Sequence, residues 1–128
     1  MRIELNSVIV RNQEDALRFY TDVLGFEKKM DLPAGDFRWL TVVSPEEPDG
    51  AQLLLEPNAH SASENYQRAL FDAGIPLTSF AVDDVDAEFE RLEQQGVVFS
   101  ARPADTAGTR TAVFEDTCGN LIQIYEAQ

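Results

Sequence analysis

One pattern is written twice in this chain. "FYTDVLGFEKK" (residues 19–29) carries the end of an amphipathic helix through a glycine and into a strand, and "FERLEQQGVVFS" (residues 89–100) repeats the passage. At a step of 72 residues Val10 falls on Val82, Asn12 on Asp84 and Leu17 on Phe89, so helix starts and apolar stripes coincide. Two copies are too few, and the spacing too long, for a solenoid; a duplicated supersecondary unit remains. Each half must therefore fold by the same rule.

In the first half, residues 2–10 alternate as a strand, with Ile3, Leu5, Ser7 and Ile9 on one face. Asn12 suits a helix N-cap, and Ala16, Phe19, Tyr20 and Val23 form one apolar stripe. Gly25 suits the left-handed residue that ends the helix. "FEKKMDL", "FRWLTVVS" and "AQLLLEP" read as three strands separated by the turn signals "PAGD" and "PEEPDG". A connector helix follows, capped by Ser61 or Ser63, with Tyr66, Leu70 and Ala73 at helical spacing and Gly74 and Pro76 closing it.

The second half restarts with "LTSFAV". Asp83 or Asp84 caps a helix whose stripe is Val85, Phe89 and Leu92, and Gly96 ends it. "VVFSARP", "TRTAVFE" and "NLIQIYEA" are three more strands. The expected fold is α+β: a single domain over residues 1–128, with βαβββ units at 1–58 and 76–128 and a connector helix at 59–75. Two curved mixed sheets are expected to pair around a cavity.

The formal net charge of −13 makes phosphate backbones and anionic membrane surfaces poor partners and weakly favours cationic ligands. A lone cysteine, Cys118, allows no internal disulfide, which fits a cytoplasmic location. No apolar run approaches the ~20 residues that span a bilayer. One histidine, His60, cannot build a Ser-His-Asp triad without a serine in an elbow motif, and no glycine-rich phosphate loop is present. The acidic run Asp83, Asp84, Asp86, Glu88, Glu90 and Glu93 reads as the solvated face of the second helix.

The "FYxxVLGF" form at Phe19, Tyr20, Val23, Leu24, Gly25 and Phe26 and the "DxxGNxIxI" form at Asp116, Gly119, Asn120, Ile122 and Ile124 resemble the vicinal oxygen chelate superfamily. That group includes glyoxalase I, extradiol dioxygenases and bleomycin resistance proteins, and the resemblance runs over the whole chain. Its motif residues are folding residues by their chemistry: Phe19, Tyr20 and Val23 pin a helix to a sheet, and Gly119-Asn120 joins two strands tightly.

The resemblance implies a divalent metal whose ligands come from the first and last strands of each unit. The first-strand positions are Leu5 and Leu77, where the family usually has histidine; the last-strand positions are Glu56 and Gln123. Hydrocarbon cannot coordinate an ion. The resemblance therefore implies a degenerate metal site and no resident cofactor, with Glu56 and Gln123 as metal ligands only if an ion binds. The expected function is binding of a small cationic or aromatic molecule by Trp39, Glu56, Gln123 and Tyr125, in a homodimer. Glu56 is the candidate catalytic group. The alternatives are a divalent-metal lyase, isomerase or dioxygenase of the same superfamily, and a dimeric interaction protein without a ligand.

Overall fold

The structure, a computed structural model, describes residues 1–127. The first unit runs β1 (Leu5–Val10), α1 (Gln13–Arg18), a wide helical turn (Phe19–Val23), β2 (Glu27–Ala34), β3 (Phe37–Val43) and β4 (Gln52–Pro57). Helix α2 (Ser61–Asp72) follows. The second unit runs β5 (Thr78–Val82), α3 (Val85–Gln94), β6 (Phe99–Thr106), β7 (Thr109–Glu115) and β8 (Leu121–Glu126). The chain divides into two compact units after Glu64, within α2. Each unit is a βαβββ sheet, ordered β1-β4-β3-β2 in one and β5-β8-β7-β6 in the other. The first strand lies parallel to the last and all other pairs are antiparallel, so the fold is α+β as the repeat predicts.

The helix of each unit covers one face of its sheet. In the first, Val8, Val10, Leu40, Val42 and Leu55 are fully buried along with Ala16 and Tyr20 of the helical segment. In the second, Ala112, Phe114, Ile122 and Ile124 are buried together with Val85, Phe89 and Leu92. Burial of each large side chain stabilises by about 1.5–3 kcal/mol, which outweighs the weak local propensity of such short elements. Both expected caps form. The Asn12 side chain accepts from the Asp15 N–H at 2.9 Å, and Asp84 accepts from the Ala87 N–H at 3.0 Å.

Several expectations change. Strand β1 starts at Leu5 rather than residue 2, because its partner β4 begins only at Gln52 and leaves nothing for residues 2 and 3 to pair with. The first helix does not stay α-helical through Val23. Leu24 N–H donates to Phe19 O five residues back, and this wider turn swings Val23 to a half-buried position. Gly25, at φ +93°, then turns the chain out. Neither Ser61 nor Ser63 caps α2: His60 does, its Nδ1 accepting the Ala62 N–H at 3.0 Å. The stripe expected on α2 is not its inward face either. Tyr66 is exposed and Ala73 also, while Gln67 is buried.

The step of 72 holds from β1 through β3 but not to the last strands. Ser7 pairs with Leu54 and Ser79 with Gln123; Ile9 pairs with Glu56 and Ala81 with Tyr125. Leu54 thus corresponds to Gln123 and Glu56 to Tyr125, a step of 69, because the β3–β4 connection is three residues longer than β7–β8.

Gln67 explains the "DTCGN" motif. Its Nε2 donates to the Cys118 carbonyl at 3.1 Å and to Asn120 Oδ1 at 3.0 Å. Asp116, fully buried, accepts from the Cys118 and Asn120 N–H groups at 2.8 and 3.0 Å and from Asn120 Nδ2 at 2.8 Å. A buried carboxylate is tolerated only with such bonds. Gly119 sits at φ +104°, and a Cβ there would stand 2.8 Å from Gln67 Nε2. Gly119→Ala is therefore expected to destabilise the protein by about 2 kcal/mol in urea unfolding. The same change at Gly35, at φ +62° with open space around it, should cost only about 1 kcal/mol.

Candidate ligand-binding sheet face

With one face of each sheet under its helix, period-two alternation sends the intervening side chains to the other face. In the first unit these are Leu5, Ser7 and Ile9 on β1, Trp39, Thr41 and Val43 on β3, and Gln52, Leu54 and Glu56 on β4. In the second they include Leu77, Ser79 and Ala81, then Leu121, Gln123 and Tyr125 on β8. Leu5 pairs with Gln52 and Leu77 donates its N–H to the Leu121 carbonyl, so both leucines lie on these faces. Glu56 is the only acidic side chain among the first-unit residues named, and Gln123 and Tyr125 are half-buried.

Thr41 anchors the centre of the first face, its hydroxyl donating to Gln52 Oε1 at 2.7 Å and accepting the Met30 N–H at 3.1 Å. Trp39 and Glu56 lie beyond it, and both are exposed. Neither side chain has a hydrogen-bond or ion-pair partner among the described residues.

The backbone beneath them is held by Gln13, a residue that reading the sequence left unassigned. Its Nε2 donates to the Arg38 carbonyl at 2.7 Å and the Leu55 carbonyl at 2.9 Å, and its Oε1 accepts the Arg38 N–H at 3.0 Å. Arg38 and Leu55 are the chain neighbours of Trp39 and Glu56. The signal available was the repeat itself, which sets polar Gln13 on apolar Val85.

Arg38 points to the helix-covered face, as its alternation predicts. It forks onto Asp31 at 3.0 and 2.7 Å and reaches Glu14 at 3.3 Å. Arg110, one repeat step on, forks onto Asp86 at 2.8 and 2.9 Å and reaches Asp105 at 3.4 Å. Hydrogen bonds from Arg38 hold the Asp31 carboxyl below the ordinary aspartate value against some desolvation, with attraction to Arg38 and Lys28 adding to it. Arg110 lowers Asp86 in the same way.

The acidic run on α3 is more engaged than a solvated face. Asp84, Asp86 and Glu126 bring carboxylate oxygens within 4.8 Å of one another. Asp84 caps the helix, Glu126 accepts the Val85 N–H at 3.2 Å and Asp86 is held by Arg110. These groups answer the positive end of α3. Cys118 is buried in the β7–β8 turn, and His60 is exposed at the start of α2.

A four-stranded βαβββ unit made twice, each sheet covered by its helix on one face only, is the architecture of one class of protein. The chain belongs to the Glyoxalase/Bleomycin resistance protein/Dioxygenase superfamily, whose model matches residues 2–124. It is 50% identical to the uncharacterized protein YurT of Bacillus subtilis (strain 168), over 98% of this chain and 99% of that one. Among solved structures, UcmS2 matches with a TM-score of 0.84 at 29% identity, covering 99% of this chain and 98% of that one. TnmS3, an antibiotic binding protein from Streptomyces sp. CB03234, matches with a TM-score of 0.78 at 30% identity, covering 100% of this chain and 97% of that one. Among the described residues no helix is long and apolar enough to cross a membrane.

The Arg38–Asp31 fork sets a pH dependence. A carboxyl whose folded pKa lies below its unfolded value adds stability above the unfolded value and loses it as pH falls through the folded one. Arg38→Met should therefore lower the melting temperature at pH 7, and the deficit should close as pH drops below 3.8, the ordinary aspartate value. Thermal melts of both proteins between pH 7 and pH 2.5 check this; a deficit that stays constant into acid contradicts it.

Proposed function

We propose that this protein binds a small cationic or aromatic molecule on the uncovered sheet faces, without a catalytic metal ion. The observation that carries the reading is the pair Trp39 and Glu56: exposed, on one face, and without a protein partner. An indole face and an unpaired carboxylate together suit a flat cation, by ring quadrupole and by charge. The overall charge of −13 adds long-range attraction of the same sign. Gln123 and Tyr125 supply hydrogen-bonding groups on the second unit's face. The description of TnmS3 as an antibiotic binding protein supports a binding role on this fold.

The donor chemistry supports the absence of a metal-dependent reaction. Leu5 and Leu77 stand where the family's ligands would come from, and the strand register leaves one carboxylate, Glu56, with the phenol of Tyr125 at the matching position and the amide of Gln123 two residues before it. That set does not fit a divalent transition ion, which needs imidazole, thiolate or several carboxylates. Glu56 is then a recognition group for charge rather than an acid–base group. A homodimer belongs to the same reading, supported by the exposed apolar side chains Ile3, Leu32 and Phe37 of the first unit.

Calorimetry against a panel of flat cations and their neutral counterparts tests the binding reading. At least one cation should bind with a measurable Kd, and Glu56→Gln should weaken it by about tenfold while leaving the fold intact. Heat from neutral compounds alone would remove the role of Glu56. Metal analysis of untagged protein should find no stoichiometric transition ion; a bound ion lost in Glu56→Gln would restore the metal-dependent alternative. Sedimentation at micromolar concentration should report twice the mass of the 14.3 kDa chain.

A further inference from the structure

The two units carry the same backbone but part at one place. In the second unit the β7–β8 ladder runs without a break from Glu115↔Leu121 to Thr111↔Tyr125. In the first, the β3–β4 ladder ends at Thr41↔Leu54. Thr41↔Leu54 corresponds to Val113↔Gln123, so the first ladder stops two residues short of its copy. The missing step is the one that would set Trp39 opposite Glu56, where the second unit sets Thr111 opposite Tyr125.

Gln13 occupies that gap. It is buried, and its amide satisfies Arg38 N–H, Arg38 O and Leu55 O at 3.0, 2.7 and 2.9 Å. Those backbone groups lie where the two strands no longer pair with each other. The copy of Gln13 is Val85, whose side chain can neither donate nor accept, and there the ladder is complete. Backbone groups shielded from water and left unpaired are unfavourable, and here one side chain answers all three.

Resting on the binding reading above, we propose that Gln13 is a positioning residue: a side-chain wedge that keeps β3 and β4 apart and so holds Trp39 and Glu56 as the two walls of a slot for a flat cation. The wedge sits under the sheet and touches no ligand. It acts on the residues next to each wall, Arg38 beside Trp39 and Leu55 beside Glu56. Without it the strands would close as β7 and β8 do, the indole and the carboxylate would become cross-strand neighbours, and the slot between them would shut. The ligand class that follows is a planar aromatic cation thin enough to enter between paired strand ends, with its ring on Trp39 and its charge on Glu56.

Trp39 is the sole tryptophan, so its fluorescence reports on this slot alone. The probes are 1-methylquinolinium chloride and, at pH 8, neutral quinoline of nearly the same shape. Wild type should bind the cation about tenfold tighter than quinoline. Gln13→Val, which installs the second unit's residue, should shift the Trp39 emission in the absence of probe and weaken the cation by about tenfold or more. Gln13→Asn keeps the amide but is too short to reach both strands, and should weaken it similarly if Gln13→Val fails to fold. Glu56→Gln should abolish the preference for the cation while leaving the probe-free emission of Trp39 unchanged. A wild type that binds, together with folded Gln13 variants of unaltered affinity and emission, overturns the wedge alone. A wild type that binds neither probe overturns the wedge and the flat-cation reading together.

Discussion

The rest of the structure depends on the pairing of each unit's first strand with its last. Parallel neighbours cannot be joined by a tight turn, so the chain between β1 and β4, or between β5 and β8, must cross over. It does so through one helix and two strands, and the helix lands on a single face of the sheet. Val8, Val10, Leu40, Val42 and Leu55 bury themselves there with Ala16 and Tyr20, and the second unit repeats the arrangement with its own residues. The opposite face receives no helix. Alternation then dictates what it displays, and the candidate site follows from the same constraint that builds the core.

Duplication gives two such faces, and their side chains differ. The faces share Leu5 with Leu77 and Ser7 with Ser79 and differ at the other matched positions. Trp39 is matched by Thr111, Glu56 by Tyr125 and Gln13 by Val85. The longer β3–β4 connection adds a second asymmetry, shifting the last strand's correspondence from 72 to 69 residues. The resemblance takes Glu56 and Gln123 as the two last-strand positions; the strand register instead matches Glu56 with Tyr125 and Gln123 with Leu54.

Polar burial marks where the fold spends stability on accuracy. Asp116, Asn120 and Gln67 form one buried network around the β7–β8 turn, and Gln13 forms another between β3 and β4. Each is fully bonded, as burial requires, because an amide or carboxylate left unpaired would cost more than the bond returns. The first network explains why "DxxGN" is a folding motif: its carboxylate and glycine serve the turn and the docking of α2. The second joins structure to the candidate site, since the groups it satisfies adjoin Trp39 and Glu56. The paired forks of Arg38 and Arg110 serve the helix-covered faces and stay apart from it.

Local pattern alone determined the duplicated βαβββ order, the cap at Asn12, a second cap at Asp83 or Asp84, the buried positions Ala16, Phe19 and Tyr20 of the first helix, and the apolar stripe of α3. These rest on periods of 2 and 3.6 and on side chains that bond within three residues, all of which are written in consecutive letters. Tertiary structure alone decided the Gln13 wedge, the Gln67 lock on the turn and the early end of the β3–β4 ladder. Those contacts join residues 25 to 53 positions apart, and a glutamine's reach is set by which backbone groups packing leaves unpaired near it. No periodicity records that vacancy, because it arises only when two strands and a helix have already met.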